Sequence, residues 1–127
     1  MTATQAQRLR RIRHVALDMD GTIYKGATLF DFTPAFLSRL GELGIGYTFL
    51  TNNSSRSVKD YLKKLHGMGI DADESRVFTS TLSTLDYLGD VMPDVRRIFV
   101  LGTPSLREEF AAHGFRLIDD DTEQPEA

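Results

Sequence analysis

The chain has no cysteine, which excludes disulfides and thiolate metal sites and suits a reducing cytoplasm. It has no apolar run approaching the ~20 residues that a bilayer-spanning helix needs. It has no basic surplus either: 15 lysines and arginines face 18 acidic residues, for a net charge of −3. Nucleic-acid binders present a basic face, so neither nucleic acid nor membrane is an expected partner. No internal repeat or low-complexity tract is present. What is there, 41% hydrophobic and 26% charged residues in a chain of 127, is an ordinary globular composition with room for about one domain.

The two ends are the least patterned segments. Residues 1–13 hold Arg8, Arg10, Arg11 and Arg13 without an acidic residue. They read as a solvated tail running straight into the first strand rather than as a targeting peptide. Residues 119–127 are acidic and include Pro125, the pattern of a surface loop.

Between the ends, strand and helix patterns alternate. An apolar run from His14 predicts a buried strand over Val15 to Asp20. Thr33-Pro34 predicts an N-cap and first-turn proline for a helix with Phe36, Leu37, Leu40 and Leu43 on one face, ended by Gly44. Residues 46–50 form a second expected strand, closing on Thr51-Asn52-Asn53. Val58, Tyr61, Leu62 and Leu65 mark a second helix reaching Gly67, with Lys59, Lys63 and Lys64 on its solvated face. Arg76 to Thr79 reads as a third strand, followed by a helix through Leu82, Leu85 and Leu88. After a break at Val91-Met92-Pro93-Asp94 come a strand over 98–101, a helix capped by Thr103-Pro104 and ended by Gly114, and a further strand from Phe115 to Ile118. Such alternation implies right-handed crossovers and a mostly parallel sheet with helices on its faces. The expected class is α/β.

Asp18-Met19-Asp20-Gly21-Thr22 and Thr51-Asn52-Asn53-Ser54-Ser55 both fall at carboxyl ends of strands, where open parallel sheets bind ligands. Alternate strand residues share a side and lie about 6–7 Å apart, so Asp18 and Asp20 can flank one tetrahedral group. An ionised carboxylate can act as nucleophile, and a second beside it can hold a proton for a leaving oxygen. Two carboxylates facing a phosphate need a cation, and Mg²⁺ takes oxygen ligands and accompanies phosphates. Gly21 permits a sharp turn that brings N–H groups toward the substrate. In the second cluster, hydroxyls, amides and a helix N-terminus favour an anion, with Ser54 and Ser55 as helix caps when read alone. A plain turn leaving the strand is the simpler alternative for Asp18 to Thr22. His14, His66 and His113 show no paired spacing and read as structural.

These residues resemble the haloacid dehalogenase-like superfamily, whose first motif is Asp-x-Asp-Gly-Thr and whose second is a Thr or Ser ending the second strand. Asp18 to Gly26 and Phe49 to Ser57 look like its 4-nitrophenylphosphatase-type branch, which includes phosphoglycolate, pyridoxal phosphate, sugar phosphate and nucleotide phosphatases. The resemblance implies a parallel Rossmann-like three-layer core, incomplete here, followed by the first β-α-β unit of an α/β cap. Residues 1–13 would be a tail, 14–92 the partial core and 93–127 the start of the cap. It implies a Mg²⁺-dependent phosphomonoester hydrolase acting on a small phosphorylated metabolite through an aspartyl-phosphate. Asp18 would be the nucleophile and Asp20 the general acid and base. Asp18 and the backbone carbonyl of Asp20 would hold the metal. Thr51 and Asn52 would bind phosphoryl oxygens, with Gly21 and Asn53 close by, and Tyr24, Lys25 and Gly26 would belong to a mobile flap.

The family's third-motif lysine and fourth-motif acidic loop are not found, and Asp119-Asp120-Asp121 does not match the latter in place or context. The chain is therefore expected to be an N-terminal portion, nearly inactive alone. A homo-oligomer is compatible with the sequence. Rival readings are a catalytically incomplete phosphate-binding or assembly module and a receiver-type phospho-accepting domain. The receiver reading is disfavoured because the third strand ends in Thr79-Ser80 rather than Asp.

Overall fold

The computed structural model describes residues 3–119 and 123–127. The elements run α1 (Ala3–Leu9), β1 (His14–Asp18), β2 (Tyr24–Lys25), β3 (Thr28–Leu29), α2 (Thr33–Glu42) and β4 (Gly46–Thr51). They continue with α3 (Val58–Gly67), a 3₁₀ turn (Glu74–Arg76), β5 (Val77–Thr79), α4 (Ser80–Val91), β6 (Arg97–Ile98), α5 (Pro104–Ala112) and β7 (Arg116–Leu117).

β1, β4 and β5 form a parallel sheet in the order β1-β4-β5. Leu17 pairs with Phe49 and Phe49 with Val77, so one apolar row crosses all three strands. Leu40 of α2 and Tyr61 and Leu65 of α3 pack on that row and, with Met19 and Ile23, build the main core. A second parallel pair, β6 and β7 joined by α5, makes a β-α-β unit. Its apolar side packs against Leu85 and Leu88 of α4, the helix that follows β5 directly. Among the described residues no helix is long and apolar enough to cross a membrane.

Several local expectations change. The segment read as a tail contains α1, for which its alanines, glutamines and leucine have good helical propensity. β1 stops at Asp18 rather than Asp20, because the Met19 carbonyl accepts N–H groups from Thr22, Ile23 and Tyr24 and closes a turn. Thr33 does not cap α2: Phe32 occupies that position, and the buried Thr33 hydroxyl donates to the Ile23 carbonyl at 2.7 Å. Ser54 and Ser55 do not cap α3. Ser57 does, in a reciprocal capping box with Asp60. Asp119 pairs with Arg107, and residues 120–121 of the acidic run lie outside the described residues.

Candidate active site

Because β1 and β4 are neighbouring parallel strands, with Asp18 opposite Leu50, the turn after β1 and the loop after β4 open on the same edge. A cavity of about 420 Å³ lies there. Asp18, Asp20, Thr51, Asn52 and Asn53 all line it, so the two sequence clusters meet. Met19, between the aspartates, is fully buried in the core, which leaves its two exposed neighbours for the solvent side.

Asp18 accepts a hydrogen bond from the Thr22 hydroxyl on Oδ2 at 3.1 Å, leaving its other oxygen open to the cavity. Asp20 accepts the Gly26 N–H on Oδ1 at 3.3 Å. Gly26 is the first loop residue of the β2–β3 hairpin and has φ +59°, the positive value such a tight connection requires there. The expected flap is therefore a hairpin tied to the second aspartate. Its base is Tyr24, 1% exposed, whose phenol is pushed up to about 12 by burial first, then by Tyr61 and Asp20. Gly21 makes the expected sharp turn, with φ +85°. Its N–H donates to the Tyr24 carbonyl at 2.7 Å, so the residue shapes the turn and has no N–H free for a substrate.

In the second loop, Thr51 Oγ1 accepts the Asn53 N–H at 3.1 Å and lies 3.5 Å from the Tyr61 hydroxyl. Asn53 Oδ1 accepts both the N–H and the hydroxyl of Ser55, at 2.9 and 2.6 Å. Asn53 thus organises the loop with its side-chain oxygen. Tyr61, read from sequence only as an apolar helix residue, donates its hydroxyl to the Asn53 carbonyl at 3.1 Å.

Two cations complete the lining, and neither was assigned to it by sequence. Arg56 follows the hydroxyl-rich loop, and Lys64 lies three residues beyond Tyr61 on α3. Lys64, expected on the solvated face, is half-buried with its ammonium 3.8 Å from the centre of the Tyr24 ring, a cation–π contact. Partial burial, with Arg56 nearby, holds that ammonium below the usual lysine range, while Asp20 pulls the other way.

At the α3 N-terminus, expected to favour an anion, three N–H groups are engaged within the protein. The Ser57 N–H donates to Asp60 and Ser105, the Asp60 N–H to Ser57, and the Val58 N–H to Glu109 of α5 at 3.2 Å. Glu109 is 8% exposed. The hydrogen bond from Ser105 of α5, then those from Ser57, hold the Asp60 carboxyl below the usual carboxylate range. The histidines are structural: His14 meets Thr48, His66 the Ala72 carbonyl and His113 the Glu109 carbonyl.

A parallel α/β sheet with paired aspartates and a hydroxyl- and amide-lined loop at adjacent strand ends defines a class of α/β proteins with a polar cavity at the sheet's carboxyl edge. Comparison places the chain within that class: it belongs to the haloacid dehalogenase-like hydrolase family, whose sequence model matches residues 15–116. It is 32% identical over 113 residues to an acid sugar phosphatase of Staphylococcus saprophyticus, covering 89% of this chain and 43% of that protein. A crystal structure of 4-nitrophenylphosphatase from Thermotoga maritima superposes with a TM-score of 0.81 at 36% identity, over 91% of this chain and 43% of that one. A glycerol phosphate phosphatase from Mycobacterium tuberculosis, solved in complex with magnesium, gives 0.78 at 28% identity, over 93% and 35%. The chain spans less than half the length of these relatives.

Proposed function

We propose that the protein is a phosphomonoester phosphatase acting on a small phosphorylated metabolite, with Asp18 as nucleophile. The observation that carries this reading is the meeting of Asp18, Asp20 and Thr51 in one cavity at adjacent strand ends. The free oxygen of Asp18 attacks phosphorus, the ester P–O bond breaks, and Asp20 gives its proton to the departing alkoxide. Asp20 then takes a proton from water, whose oxygen attacks phosphorus and releases phosphate from Asp18. Thr51 lines the cavity and can turn its hydroxyl proton from Tyr61, 3.5 Å away, to a phosphoryl oxygen, and the Asn52 amide adds a donor.

Two exposed carboxylates facing one cavity are a hard oxygen donor set that fits Mg²⁺, which binds through one or two carboxylates plus phosphate and water. Asp18 and the backbone carbonyl of Asp20 would hold it, and it would offset phosphoryl charge. By this reading residues 93–127 begin a cap that selects the substrate, and the cysteine-free chain works in the cytoplasm.

Phosphatase assays on a protein of the relatives' length, wild type against Asp18→Asn, test the proposal. Loss of turnover in the variant supports it and equal turnover refutes it. The 127-residue chain alone is expected to turn over orders of magnitude more slowly, since missing charge-stabilising groups cost that much.

A further inference from the structure

A phosphate dianion entering this cavity meets two carboxylates, and much of the usual source of compensating positive potential is already engaged. At the α3 N-terminus beside the loop, the N–H groups of Ser57, Val58 and Asp60 are already taken, by Asp60, Ser105, Glu109 and Ser57. The Gly21 N–H is taken by the Tyr24 carbonyl. What remains positive on the cavity wall is Arg56 and Lys64. Among the described residues neither forms a salt bridge, so their charges are not neutralised by a direct partner. Lys64 is held on the Tyr24 ring, which leaves an ammonium that is partly desolvated yet free of a carboxylate.

We infer that Arg56 and Lys64 are the anion-recognising pair of this chain, binding the phosphate dianion from the α3 side of the cavity. The inference rests on the phosphatase reading of the site and adds two residues to it. With both cations the lining is electrically balanced before any metal or phosphate arrives. Without them it carries two uncompensated negative charges and repels the ligand. Lys64, half-buried, contributes more than the exposed Arg56, because water screens an exposed charge.

The test is calorimetric titration of inorganic phosphate into the 127-residue chain at neutral pH and low salt, with and without Mg²⁺. Lys64→Met, which keeps the apolar stem, should weaken binding about tenfold, and Arg56→Met about threefold, as expected for charge-assisted hydrogen bonds of decreasing burial. Lys64→Arg should stay close to wild type. Lys63→Met is the control, since Lys63 is exposed on the same helix and changes net charge equally. Equal weakening by Lys63→Met and Lys64→Met, or no weakening by Lys64→Met, overturns the inference and leaves the phosphatase reading standing. Absence of phosphate binding by the wild type in both buffers overturns the inference too. Unchanged turnover in Asp18→Asn overturns the phosphatase reading itself.

Discussion

The two cores of this chain are built differently. In the first, Met19, Phe49 and Leu65 are fully buried, in the turn after β1, in β4 and in α3, the segments that position the candidate site. In the second, the best-buried residue is Ile98 at 3%, while Phe110, Leu106 and Val95 reach only 7–9%. Its attachment to the first is polar at the site: Thr103 donates to the Ser55 carbonyl at 2.9 Å, Ser105 to Asp60, and Glu109 accepts from Val58. Apolar burial is non-directional and cooperative, whereas a few half-buried hydrogen bonds contribute little each. The loop after β4 is therefore rooted in a firm core and gripped from outside by a softer one.

The largest expected effect separates the cores directly. Phe49→Ala should cost about 4 kcal/mol by urea unfolding, the usual loss for a large buried ring. Phe110→Ala should cost less and should speed amide hydrogen exchange in residues 97–117 while β4 stays protected. If both substitutions unfold the whole chain to the same extent, the cores are one cooperative unit and the contrast fails.

Next comes the junction. Ser105→Ala removes a donor to the Asp60 carboxylate and an acceptor for the Ser57 N–H, and should loosen α5 from α3 by about 2 kcal/mol. The folded-state Asp60 carboxyl lies below its ordinary value, so this contact is in force above the usual aspartate range and is lost as pH falls through the folded value. In the variant the Asp60 carboxyl should move back toward the ordinary range, read by NMR titration. An unmoved titration would mean that the hydroxyl does not hold that charge.

Smaller still is Thr33→Val. Its hydroxyl pins the turn after β1 to α2, but the Ile23 carbonyl keeps the Phe30 N–H at 3.2 Å, so about 1 kcal/mol should be lost in thermal unfolding. A loss several-fold larger would show that the whole hairpin depends on this bond.

The order of strands and helices was legible because apolar periodicity records which face of each element is covered, and both polar clusters stood at strand ends. What escaped was non-local. Thr33-Pro34 has the local pattern of a helix start, yet tertiary burial claims its hydroxyl. Lys64 has the spacing of an exposed helix face until Tyr24, distant in sequence, comes to lie beneath it. Glu109 closes a helix N-terminus 51 positions away, which no local pattern encodes. Ser57 and Asp60 carry a local signal that the reading of Ser54 and Ser55 as caps passed over, since a hydroxyl followed three residues later by an acidic side chain before an apolar run marks a capped start.

The smallest prediction concerns the far side of the second unit. Glu126 accepts the N–H groups of Arg96 and Arg97 at 2.7 and 3.0 Å and pairs with the Arg97 guanidinium. Those two N–H bonds, then the guanidinium, pull its carboxyl from 4.5 down to about 2. Around it, the Glu126 N–H donates to the Arg97 carbonyl and the Phe99 N–H to the Ala127 carbonyl, so the last residues run along β6. A depressed folded-state value means the contact is complete above pH 4.5 and disappears as pH falls toward 2. Because Glu126 is exposed, the effect should stay local: the Arg96 and Arg97 amide resonances should shift across that window while the β4 amides do not move. Glu126→Gln should abolish the shift. A Glu126 that titrates at the ordinary glutamate value would mean that the terminal segment is not held along β6 in solution.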